Sequence, residues 1–170
     1  MKKLIFGWMF AAVALSAGEF RVEAESFKDL KSWVSQKDKR AVDSGVIRSN
    51  QKGTANSIKA TFSCPEAGTY YVFVRTLDIG EKSRKTTVKI NDLAIGSFGD
   101  DNKPENGKGS AYFWNKSAKT VELAKGDFTI ELIPNSNYSR VDSIIFTTDA
   151  NYNPPNSPRS AEDIEDLDAK

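Results

Sequence analysis

At 170 residues, 39% hydrophobic and 11% aromatic, the chain has the length of one domain and enough apolar side chains for a packed core. It holds no histidine and one cysteine, which excludes Ser-His-Asp and Cys-His nucleophile systems, imidazole zinc sites, a His general base and an intramolecular disulfide. A formal net charge of +1 gives no electrostatic basis for nucleic-acid binding.

The chain opens with a short cationic stretch, Met1-Lys2-Lys3, then an apolar run from Leu4 to Ala14, then small residues at Ser16, Ala17 and Gly18. That is the layout of a secretory signal peptide over residues 1–18. The run falls short of the ~20 residues that cross a bilayer, which weighs against an uncleaved anchor. Gly18 stands where a lipoprotein cleavage box needs Cys, so no lipid anchor is expected. Without Lys2 and Lys3 the chain is close to neutral. The expected location is secreted or periplasmic, with no membrane association after cleavage.

Residues 19–150 read as strands. Phe20, Val22 and Ala24 alternate with charged residues, as do Ile58, Ala60 and Phe62 with Lys59, Thr61 and Ser63. Val88 and Ile90 flank Lys89, and Phe128, Ile130 and Leu132 alternate with Thr129 and Glu131. A period of two marks a strand with one buried face. Tyr70–Val74 and Ile144–Phe146 are apolar on both faces, which predicts strands covered on two sides. Turn signals fall between these runs at Glu66-Ala67-Gly68, Asn91-Asp92, Lys125-Gly126 and Pro134-Asn135. The fold expected is all-β, an antiparallel β-sandwich. Phe27, Leu30 and Trp33 recur at helical spacing and suggest one short helical stretch. Cys64 ends a strand-like run and reads as a buried small apolar group. Two polar loops, 77–85 and 99–109, are where function or plain solvated connection would sit. Residues 151–170, Pro-rich and then acidic, read as a disordered tail.

Three acids stand out. Glu23 and Glu25 are two apart on a strand and should project from one face, and Asp142 shares a face with Ile144 and Phe146. Clustered carboxylates are bridged by a cation or solvated, and Ca²⁺ favours such oxygens. The pattern alone does not choose between a calcium site and an exposed Glu pair with a backbone-capped Asp. No carboxylate pair is singled out for glycoside hydrolysis. The aromatic strand 111–115 carries Trp114, Arg75 ends the Tyr71/Phe73 face, and Asn135, Asn137 and Tyr138 precede the last strand. A flat ring beside Asn and Arg suits a sugar's C–H face and hydroxyls. The alternative is a core Trp114 and an ion-paired Arg75.

In order along the chain, Val22-Glu23-Ala24-Glu25-Ser26-Phe27, Gly68–Arg75, Trp114 followed by Thr120–Ile130, and Arg140-Val141-Asp142-Ser143-Ile144-Ile145-Phe146-Thr147 resemble the motifs of family 6 and family 35 carbohydrate-binding modules. The likeness extends over about residues 19–155, including Phe146–Pro155. It is nearest to galactose-binding-like modules found beside polysaccharide lyases and flavin-dependent oxidoreductases. The resemblance implies a jelly roll of two stacked sheets. It implies a structural calcium held by Glu23, Glu25 and Asp142. It also implies a sugar site among loops at one end, with Trp114 and Asn137 at the matching positions and Asn135 as the alternative. Arg75 and Tyr138 are added to that site from the residue reading alone. The expected function is carbohydrate binding without catalysis. The alternatives are a subunit docking on a partner enzyme or surface assembly, and a small hydrolase or lyase.

Overall fold

A computed structural model describes residues 18–38, 40–41, 45–78, 84–99 and 111–155. The signal-peptide residues 1–17, most of both polar loops (79–83 and 100–109) and tail residues 156–170 therefore lie outside the described residues.

Eleven strands are described: β1 (Glu19–Glu23), β2 (Trp33–Lys37), β3 (Gly45–Ser49), β4 (Ile58–Cys64), β5 (Gly68–Asp78), β6 (Thr86–Ile90), β7 (Leu93–Phe98), β8 (Ala111–Lys116), β9 (Val121–Leu123), β10 (Gly126–Pro134) and β11 (Arg140–Thr147). Every pairing is antiparallel. The larger sheet runs β2-β3-β11-β5-β8, with β1 also on β11 and β9 also on β5. The smaller sheet runs β4-β10-β6-β7. The expected antiparallel sandwich is thus the fold. The helical spacing of Phe27, Leu30 and Trp33 yields no α-helix among the described residues. Instead a single 3-10 turn, Ala24–Ser26, leads to Phe27, and Trp33 opens β2.

Alternation sends Val22, Val72, Val74, Ile144 and Phe146 inward from the larger sheet against Ile58, Val88, Ile90, Phe128, Ile130 and Leu132 of the smaller. Phe20 stacks on Phe146 at 4.7 Å, and Phe128 meets Phe146 edge-on at 5.3 Å. Cys64 is buried, as expected, with its Sγ 2.9 Å from the Glu66 carbonyl. Asn91 and Asp92 both take positive φ (46° and 67°), the signature of a two-residue hairpin turn, and join β6 to β7.

The outer face of the larger sheet is covered too, which explains why β5 and β11 are apolar on both sides. The chain after β11 folds back over it. Tyr152 packs edge-on to Phe73 at 5.7 Å and donates its hydroxyl proton to Glu19 at 2.8 Å. Lys116 Nζ donates to the Ala150 carbonyl and Trp114 Nε1 to the Pro155 carbonyl. Ala150, Tyr152 and Pro155 thus all pack against the larger sheet.

Candidate functional site

The strand registers gather several strand ends at one end of the sandwich. Asp78 of β5 pairs with Ala111 of β8, Thr86 of β6 pairs with both Phe98 and Pro134, and Val141 of β11 pairs with Thr76. The turn between β10 and β11 is built into this end by hydrogen bonds on two sides. Tyr138 N–H donates to the Ser49 carbonyl at 2.8 Å, and Ser49 N–H to the Ser139 carbonyl at 2.9 Å. Across from them, Asn135 N–H and Ser139 Oγ both donate to the Lys85 carbonyl. The turn is thus held to β3 on one side and to the approach of β6 on the other.

Tyr138 is the residue this turn displays. Its backbone is left-handed at φ 65°, a conformation a bulky side chain enters only when its surroundings impose it. The residue is 47% exposed, and the guanidinium carbons of Arg48 and Arg84 lie 5.3 and 5.9 Å from the ring centre. Asn137 is exposed beside it. Asn135 has other work: its amide donates to Ser97 Oγ at 2.7 Å and Thr87 Oγ1 at 3.1 Å, tying β10 to β6 and β7. Both asparagines are exposed, and Asn135 is the one whose amide is tied to the neighbouring strands.

Behind the turn lies a buried ionic layer on the outer face of the larger sheet. Asp38 accepts from Arg40 Nε and Nη2 at 2.8 and 2.7 Å and from the Tyr112 hydroxyl at 3.1 Å. Arg140 Nη1 stands 3.8 Å from the same carboxylate. Burial of Asp38 works against its charge, but the donors from Arg40 and Tyr112 outweigh it and hold the carboxyl below the usual aspartate range. Burial, followed by the Asp38 charge, pushes the Tyr112 phenol well above its ordinary value.

Arg75 belongs to this layer and is no ligand-facing group. It is fully buried and paired with Asp142, and its guanidinium also reaches the Arg40 carbonyl at 3.4–3.5 Å. The reason lies in β11. Its register against β5 shifts between Val141 and Ser143, leaving Asp142 as an extra residue. The bulge takes Asp142 off the inward face of Ile144 and Phe146, the face expected for it, and turns it to Arg75. Trp114 pairs with Arg75 across β5 and β8. It is half-buried, and the Arg21 and Arg75 guanidinium carbons lie 6.0 and 5.9 Å from its ring. A groove of about 420 Å³ opens beside it, lined by Gly96, Phe98, Asn115 and Lys116 among others. The expected quartet is therefore divided. Trp114 and Arg75 stand together on β8 and β5 at one edge of the larger sheet, and Asn137 and Tyr138 stand together on the turn.

The three acids expected to hold calcium come from neighbouring backbone: Glu23 lies opposite Ser143, the residue after Asp142, and Glu25 lies in the turn that follows β1. Glu23 is the last residue of β1 and pairs with Arg21 (Nε to Oε1, 2.6 Å). The strand ends there, so Glu25 falls in the 3-10 turn and leaves the Glu23 face. Its carboxylate lies over Gly45, where a Cβ would come within 1.9 Å of Oε1. Among the described residues no group of three or more acidic or thiol side chains is placed to hold a metal ion. Arg40, Asp38, Arg48 and Tyr112 carried no signal in the sequence reading, because only strand pairing brings them together.

The sequence matches no protein-family model and no curated protein sequence. Solved structures do share the fold. A family 35 carbohydrate-binding module from Clostridium thermocellum superposes with a TM-score of 0.58 at 21% identity, over 76% of this chain and 98% of that one. A Podospora anserina GH26-CBM35 β-(1,4)-mannanase gives 0.59 at 20%, over 81% of this chain and 29% of that much longer one. The C-terminal CBM6 of LamC, a marine laminarinase from Zobellia galactanivorans, gives 0.54 at 14%, over 77% of this chain and 100% of that one. The likeness read from the motifs is thus matched by folds of families 35 and 6.

Proposed function

We propose that this protein is a non-catalytic carbohydrate-binding module that works outside the cytoplasm. The observation that carries the reading is the β10–β11 turn. It holds an exposed aromatic ring and an exposed amide, Tyr138 and Asn137, in a fixed backbone geometry at the loop end of a fold shared with such modules. A ring supplies the apolar surface for a pyranose, and amide and guanidinium groups supply directed hydrogen bonds to its hydroxyls. Trp114, with its indole N–H given to Pro155 and two guanidinium groups against its ring, fits a packing role better than a ligand platform.

As placed, Glu23, Glu25 and Asp142 do not fit a three-carboxylate site: Glu23 and Asp142 are each engaged by an arginine, and Glu25 lies over Gly45. Unfolding temperatures with added calcium and with chelator test whether the ion contributes to the fold.

The test of function is a polysaccharide array probed with the mature protein. Specific capture by one glycan class, lost in Tyr138→Ala, supports the reading. A blank with correctly folded protein, together with a co-purifying protein, would replace it with the docking-subunit alternative. New reducing ends or unsaturated products would replace it with an enzyme.

A further inference from the structure

The β10–β11 turn displays Asn137 and Tyr138, and a serine stands on either side of the pair, Ser136 before it and Ser139 after it. Ser139 is fully buried, as is Ser49 of β3, which bonds to the turn. Their hydroxyls form one chain. Ser49 Oγ donates to the Ser136 carbonyl at 3.1 Å. Ser136 Oγ and Ser139 Oγ lie 3.2 Å apart. Ser139 Oγ is 3.0 Å from the Lys85 carbonyl and 3.2 Å from that of Ser136. A hydroxyl has one proton to give. The nearer acceptor for Ser139 is Lys85, which makes Ser136 the donor to Ser139 Oγ and leaves every proton of the chain with an acceptor. The far end is firm, because Thr86, next to Lys85, pairs with Phe98 on one side and Pro134 on the other.

The chain therefore fixes the residue before Asn137 and the residue after Tyr138. Between them Tyr138 is held at φ 65°. A turn that only joined two strands would place Gly or Asn at such a φ. Backbone strain that the surroundings impose on a bulky residue collects at functional sites.

We propose that Ser139 is a positioning residue for sugar binding. With Ser136 and Ser49 it keeps the Tyr138 backbone left-handed and so presets the ring for its ligand. The proposal rests on the carbohydrate-binding reading of this turn and adds what prepares it. A ring already in place loses less freedom on binding, so breaking the chain lowers affinity without removing a group that touches the sugar.

Two measurements on the mature protein test it: amide hydrogen exchange without ligand, and calorimetric titration with hexasaccharides of β-1,4-mannan, β-1,3-glucan, β-1,3-galactan and polygalacturonate. In Ser139→Ala the Tyr138 amide, which donates to the Ser49 carbonyl, should exchange about ten-fold faster, while core amides such as those of Val72 and Ile130 keep their rates. Affinity for the best-bound hexasaccharide should fall about five-fold or more, yet by less than about two-fold when Tyr138 is already alanine. Ser139→Thr, which keeps the hydroxyl, should recover most of the affinity. Ser49→Ala breaks the chain at its other end and should reproduce Ser139→Ala, which keeps the test decisive where a threonine does not fit. Unchanged exchange at Tyr138 overturns the proposal, as does equal quickening throughout the core. So does an affinity that Ser139→Ala leaves unchanged, or a loss that persists in the Tyr138→Ala background. Each of these leaves the carbohydrate-binding reading intact. Unchanged affinity in folded Tyr138→Ala overturns both, as does binding of none of the hexasaccharides.

Discussion

Replacing Arg75 with Met should cost this domain a large part of its stability. The Arg75 and Asp142 side chains are 0% and 1% exposed, so their charges see almost no water. Deleting the guanidinium leaves the Asp142 carboxylate buried opposite an apolar chain and frees the Arg40 carbonyl of two donors. Breaking a buried pair from one side costs about 3–5 kcal/mol. For a domain of this size that is a fall of roughly 10–20 °C in unfolding temperature. The cost comes from the stranded charge, since replacing a whole buried pair by apolar groups is often neutral. Arg75→Met/Asp142→Leu should therefore recover more than half of the loss. Thermal and urea unfolding of wild type, both single variants and the double variant, followed by circular dichroism, closes the cycle. A single-variant loss below about 1 kcal/mol would refute the reasoning, as would a loss that added calcium restores, because either would mean that another cation balances Asp142.

Gly45→Ala is a separate probe of Glu25. Only the exposed end of that side chain blocks a Cβ, so the carboxylate should swing away and stability should fall by less than about 1 kcal/mol in denaturant melts; a larger fall would mean that Glu25 is pinned. Tyr152 tests the covering segment after β11. Burial, then its bond to Glu19, pushes the phenol up to about 12, so its contribution is full below the ordinary tyrosine value near 10 and is lost as pH rises through about 12. Alkaline melts should show that loss in wild type and not in Tyr152→Phe. Asp38 sets the opposite limit: its lowered folded pKa gives a contribution present above the unfolded value near 3.9 and lost as pH falls below it. Acid melts should therefore be shallower in Asp38→Asn, on a lower baseline. Trp114→Ala should lower the unfolding temperature while leaving glycan affinity within about two-fold, since its partners are Arg21, Arg75 and Pro155.

The strands with strict alternation, β1, β4, β6 and β10, were legible because one buried face imposes a period of two. The two-sided runs in β5 and β11 were legible as doubly covered, but the cover was not, since Tyr152–Pro155 sit in a stretch whose prolines suggest a free tail. β2 and β7 were missed because Ser35, Lys37, Leu93 and Ala94 are exposed where a core pattern would be sought. The candidate site was legible in part. Asn137 and Tyr138 announce themselves as polar and aromatic residues before a strand. Arg75 was misplaced because the bulge at Asp142 has no local signature, and that one extra residue decides whether the carboxylate faces the core or the arginine. Arg48 looked like an ordinary strand charge until pairing set it against Arg140 and beside Tyr138.

The central claim is that a sugar is held at the Tyr138 turn. The most direct measurement is the affinity of wild type and of Tyr138→Ala for a glycan drawn from the array, with unfolding temperature recorded for both. The account predicts that affinity falls at least ten-fold, about 1.4 kcal/mol or more, while the unfolding temperature stays within about 3 °C. An affinity unchanged in a folded Tyr138→Ala would contradict it.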